Sequence, residues 1–103
     1  MQQQLVLQFR RTAFESDDGI VALEGKLKQT LGDLVEMDGH DNRARTINIF
    51  ILAADPGSAF RRVKPVLESA QLLDGVMAAH RVVGGSQFKV IWPLRVRRKF
   101  RID

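Results

Sequence analysis

Thr46-Ile-Asn-Ile-Phe-Ile-Leu-Ala53 is the stretch whose reading decides the fold. Ile47, Ile49 and Ile51 line one face of an extended chain, and Asn48, Phe50 and Leu52 line the other. Both faces are largely apolar, which suits a strand in the middle of a sheet. Upstream, Gly39-His40-Asp41-Asn42 is rich in turn formers. Before it, Leu34 to Asp38 alternates, with Val35 and Met37 on one face and Glu36 and Asp38 on the other. Downstream, Asp55 and Pro56 suit the N-cap and first position of a helix. Its buried stripe is expected to be Phe60, Val63, Val66 or Leu67, Ala70 and Leu73. Pro65 falls inside that stripe and is expected to kink the helix or end its first half.

Working outward, residues 4–10 alternate, with Leu5, Leu7 and Phe9 opposite Gln4, Val6, Gln8 and Arg10, and predict a half-buried strand. Ser16, Asp17 or Asp18 then offers an N-cap to a helix whose stripe is Ile20, Leu23, Leu27 and Leu31, with Gly32 at its end. Val76 to Val83 and Gln87 to Trp92 read as two strands around Gly84-Gly85, a pair typical of a tight hairpin. The order predicts an α+β fold: a ferredoxin-like β-α-β-β-α-β arrangement with an additional C-terminal strand. Its antiparallel sheet carries two helices on one face. Residues 1–93 form a single domain in this reading, and residues 94–103 a basic extension.

The strings Glu36-Met-Asp-Gly-His-Asp, Ile47-Asn-Ile-Phe-Ile, Asp55-Pro, Ala59-Phe, Val63-Lys-Pro and Val90-Ile-Trp-Pro resemble a family of small, uncharacterised bacterial proteins. The resemblance covers most of residues 1–93 and implies the same small α+β fold. It brings no activity, substrate or cofactor.

The charge is unevenly placed. Of 103 residues, 16 are Lys or Arg and 12 are Asp or Glu, a formal +4. The tail alone holds Arg95, Arg97, Arg98, Lys99 and Arg101 against Asp103, and the preceding body is neutral. The absence of cysteine excludes disulfides and thiolate chemistry. No apolar run approaches the roughly 18–20 residues that cross a bilayer, and the N-terminus lacks the order of a signal peptide. A cytoplasmic protein is expected, with no membrane contact, no metal and no cofactor.

Three sets of residues invite function. Glu36, Asp38 and His40 fall at period two, with Asp41 beside them and Asn48 on the next strand. Carboxylates near an imidazole could bind a ligand, or in the alternative serve a metal-dependent or acid–base enzyme through Asp38, His40 and Asp41. A solvated turn would use the same residue types. His80, on a strand three places away, is expected to be an ordinary sheet residue. Val6, Phe50 and Leu52 would form an apolar patch on the helix-free face, which a second copy could cover as a homodimer. The tail, alternating apolar and basic, could pair with a sheet edge, contact nucleic acid or an acidic partner, or be a loose terminal segment. Base stacking on the open face is disfavoured, because Glu36 and Asp38 would repel phosphate and few aromatics lie on the central strands. Gly57-Ser58 is at best a minimal anion site, and no phosphate-binding loop is present. The leading reading is a small non-enzymatic binding or protein-interaction module acting as a dimer through its sheet.

Overall fold

The computed structural model describes residues 2–94, 100 and 102. Its strands are β1 (Gln3–Arg10), β2 (Val35–Asn42), β3 (Thr46–Ala53), β4 (Met77–Val82) and β5 (Lys89–Trp92). Helix α1 (Asp17–Leu31) joins β1 to β2, and α2 (Pro56–Ser69) joins β3 to β4. The sheet is antiparallel, in the order β2-β3-β1-β4-β5. β3 has the bounds its alternation predicts, and it sits between β1 and β2.

Both helices pack on one face. The expected stripe of α1, Ile20, Leu23, Leu27 and Leu31, is buried. It meets Leu5, Leu7 and Phe9 of β1 and Ile47, Ile49 and Ile51 of β3 in one apolar cluster, with Phe60, Val63 and Leu67 of α2. Each such aliphatic side chain contributes about 1.5–3 kcal/mol by leaving water. Gly32 closes α1 at φ +58°, a backbone region that favours glycine.

α2 starts as its sequence predicts. The Asp55 carboxylate accepts from the Ser58 backbone N–H at 3.1 Å and from Ser58 Oγ at 2.8 Å. These bonds, led by the backbone one, hold Asp55 below the usual carboxylate range. The protein's own carboxylate therefore occupies the minimal anion site expected at Gly57-Ser58. Pro65 does not end the helix, which runs on to Ser69 and is capped at Ala70. Trp92 of β5 closes that end of the core. Its ring lies 6.1 Å from Phe60 and 4.3 Å beneath Lys64 Nζ, while Nε1 donates to Leu73 O at 3.3 Å.

Two local expectations change. Residues 39–42 belong to β2 and are not a turn, because the register between β2 and β3 shifts between Met37 and His40. Asp38 and Gly39 together face Phe50, a β-bulge that Gly39 permits at φ +84°. The β4–β5 connection is also no tight hairpin. Val82 O accepts from Gly85 N–H at 2.8 Å, closing a turn with Gly84 at φ +83°, yet β5 begins only at Lys89. Among the described residues no helix is long and apolar enough to cross a membrane.

Candidate functional site

The sheet face away from the helices is built from the alternate residues of each strand. β1 gives it Gln4, Val6, Gln8 and Arg10, while β3 gives Asn48, Phe50 and Leu52, and β4 gives Met77, Ala79 and Arg81. Strand pleating places these side chains opposite the core set.

The bulge decides what β2 contributes. Before it, Glu36 pairs with Leu52 and keeps the predicted face. The extra residue reverses the alternation, so His40 pairs with Ile49 and turns to the helix side. There its Nδ1 lies 3.0 Å from Glu24 Oε1 of α1. Asp41, pairing with Asn48, turns to the far face instead. The expected row of Glu36, Asp38 and His40 on one face is therefore corrected, and His40 stands across the sheet from Asp41. Among the described residues no group of three or more His, Asp or Glu side chains could hold a metal ion.

Asp41 and Asn48 do come together. Gln8 Nε2 donates to Asn48 Oδ1 at 3.0 Å, and Asn48 Nδ2 donates to Asp41 Oδ1 at 3.0 Å. Arg43 Nε donates to Asp41 Oδ2 at 3.1 Å. Asn48 is fully buried, so its amide spends both ends inside this chain of bonds. The result is an arginine fixed at the edge of the far face by three strands.

A second arginine is fixed at the opposite side. Arg81 Nε donates to Gln4 Oε1 at 2.9 Å, and Nη1 donates to Gly85 O at 3.0 Å. Its guanidinium carbon lies 4.8 Å from the centre of the Phe88 ring. The wide β4–β5 loop, through Gly85 and Phe88, thus sets this side chain.

The far face is not bare. Val6 is fully buried, with Met77, Ala79 and Phe100 beside it, and Phe50, Phe88, Val90 and Ile102 pack against this second cluster. The Phe88 and Phe100 ring centres are 4.9 Å apart. The expected exposed patch is corrected at Val6, which Phe100 of the C-terminal extension covers; Phe50 and Leu52 are half-buried. At Phe100 the extension belongs to the packed domain. Arg95, Arg97, Arg98, Lys99 and Arg101, singled out for nucleic-acid or acidic-partner contact, lie outside the described residues.

Between these groups lies an open cleft of about 650 Å³, whose lining includes Asp41, Arg43, Phe50, Arg81, Phe88 and Phe100. Two cations, one carboxylate already paired, and three aromatic rings make it suited to an anion carrying a flat apolar part. Sequence reasoning missed Arg43, Arg81 and Phe88. Arg81 was within reach, since it shares the parity of Met77 and Ala79; Arg43 and Phe88 sit in loops, where alternation gives no face.

His80 pairs with Leu5 on the helix side, its Nδ1 2.8 Å from Gln3 Oε1. Burial, with Lys89 nearby, lowers its pKa from 6.5. The unfolded chain then binds the proton more readily, so this contribution to stability is present above pH 6.5 and lost as pH falls through the folded value. Denaturation midpoints measured from about pH 8 to about pH 5 should fall less steeply for His80→Gln than for the native chain. Equal slopes would refute the assignment.

Compared with family models, with curated proteins and with solved structures, the chain matches none.

Proposed function

We propose that this chain is a small binding module that takes an anionic ligand with a flat apolar part in the cleft on its helix-free sheet face. Arg81 carries the reading. A guanidinium held by Gln4 and Gly85 and stacked near Phe88 has lost much of its conformational freedom before any ligand arrives, so less entropy is spent on binding. Two of its five N–H donors are used in these bonds, which leaves donors for an incoming oxyanion. Phe50 and Phe88 supply ring faces beside it.

The frame for this site is, in our reading, the ferredoxin-like arrangement. Two β-α-β units whose helices share one face support it, and the fifth strand extends the sheet beyond the four-stranded form. The resemblance to small bacterial α+β proteins agrees with that frame, and a binding role requires no further group. Burial of Val6 beneath Phe100 moves the reading from a sheet-to-sheet dimer to a ligand cleft.

A nucleoside monophosphate is a suitable probe, since it joins a ring to a phosphate. In an NMR titration, the backbone amides of Gln4, Phe50, Arg81 and Phe88 should shift together at millimolar probe. Arg81→Ala should remove the response while leaving the spectrum folded. Unmoved resonances at all four positions in the native chain would overturn the reading.

A further inference from the structure

We propose that the ligand is a single-stranded nucleic acid, which enters the cleft at Arg81 and leaves over an arginine cluster at the far end of the sheet. This rests on the cleft reading above and extends it from one anionic group to a chain of them.

Four arginines meet where β1 ends and the β2–β3 loop turns. Arg10 pairs with Thr46, Arg11 N–H donates to Arg45 O at 3.0 Å, and Arg11 Nη1 donates to Arg43 O at 2.7 Å. All four side chains, Arg10, Arg11, Arg43 and Arg45, are exposed. Among the described residues the one carboxylate paired with any of them is Asp41, on Arg43. Arg10, Arg11 and Arg45 thus have no carboxylate partner among the described residues. Alternation puts Arg10 on the cleft face, beyond Gln8.

Spacing separates a polymer from a small anion. Arg81 is anchored beside Gln4, and Arg43 is anchored on Asp41, in the row of Asn48 and Gln8. The two anchors are three strand positions across, ~14 Å, and four residues along β1, ~13 Å, so the two held guanidiniums do not meet on one phosphate. A ligand that meets both carries at least two charges along an extended path. Phe50, on β3, lies between them, and Phe88 lies beside Arg81. Rings for stacking and flanking arginines for phosphate are components that hold single strands.

Of the acidic residues that argued against this in the sequence, Asp38 is exposed in the bulge opposite Phe50, where the arginines on either side outnumber it. Glu36 sits beside Leu52, at the end of β2 remote from the arginine cluster. Asp41 is paired with Arg43 and accepts a hydrogen bond from Asn48.

The test is fluorescence anisotropy of a labelled oligouridylate of twelve nucleotides with the full chain. The triple variant Arg10→Ala, Arg11→Ala, Arg45→Ala keeps every residue of the cleft and the whole basic tail. It should bind the oligonucleotide at least about tenfold more weakly, and the slope of log K against log salt should fall by about 2. Its NMR response to a nucleoside monophosphate should be unchanged. Arg81→Ala should weaken both ligands. If the mononucleotide binds but the triple variant holds the oligonucleotide as tightly as the native chain, the inference fails and the cleft reading stands. If neither ligand moves the cleft resonances, the cleft reading itself fails. Equal affinity for polyglutamate of matching charge would assign the surface to acidic proteins and also overturn the inference.

Discussion

Asn48→Ala is expected to lower the stability of the fold by about 2–4 kcal/mol, since it removes two buried hydrogen bonds, one to a carboxylate, and leaves a gap in the middle of the sheet. Asn48 is fully buried, and both ends of its amide are engaged, by Gln8 and by Asp41. For a domain whose whole stability is about 5–15 kcal/mol, a loss of that size is a large fraction. Asn48→Leu separates the two causes, because leucine fills the gap without restoring the bonds. Chemical denaturation of both variants should show the leucine chain destabilised as well, with Asp41 now facing a methyl group. Native stability in Asn48→Leu would mean that the polar chain contributes nothing. The effect reaches the site, since Asp41 holds Arg43: both variants should also bind the oligonucleotide more weakly than the native chain at a temperature where they are folded.

Phe100→Ala is expected to uncover the far face. Phe100 is 6% exposed and rests beside Val6, Met77 and Ala79, with its ring 4.9 Å from Phe88. Truncating a buried phenylalanine costs about 3 kcal/mol here, the low end of such changes, because Phe100 packs in the smaller of the two apolar clusters. The main core lies on the opposite side of the sheet and does not include Phe100. The variant should therefore keep its helices by circular dichroism while binding a dye that reports exposed apolar surface. It should also lose the mononucleotide response, because Phe100 lines the cleft. A folded variant with no dye binding and native ligand response would show that Phe100 does not cover this face.

The elements were legible in the sequence where one periodicity ran unbroken. The stripe of α1, the cap of α2 and the bounds of β3 follow from spacing alone, since a helix or strand must turn its apolar side to the core. The site was legible in part. Asp41 and Asn48 were expected together and are bonded; His40 was expected with them and is not. One residue of slip at Gly39 accounts for the difference, because a strand has period two and an extra residue exchanges its faces. Nothing in Asp38-Gly39-His40 distinguishes a bulge from a turn, as glycine and aspartate serve both.

By itself the sequence determined the class of fold, the faces of its helices, the central place of residues 46–53 and the neutrality of the body beside a basic tail. Those properties depend on neighbours within a few positions along the chain. The tertiary structure alone decided which face His40 takes, that Phe100 returns over Val6, and that Arg43 and Arg81 flank one cleft. These depend on contacts between residues up to 94 positions apart in sequence, and local periodicity carries no information about such distant partners.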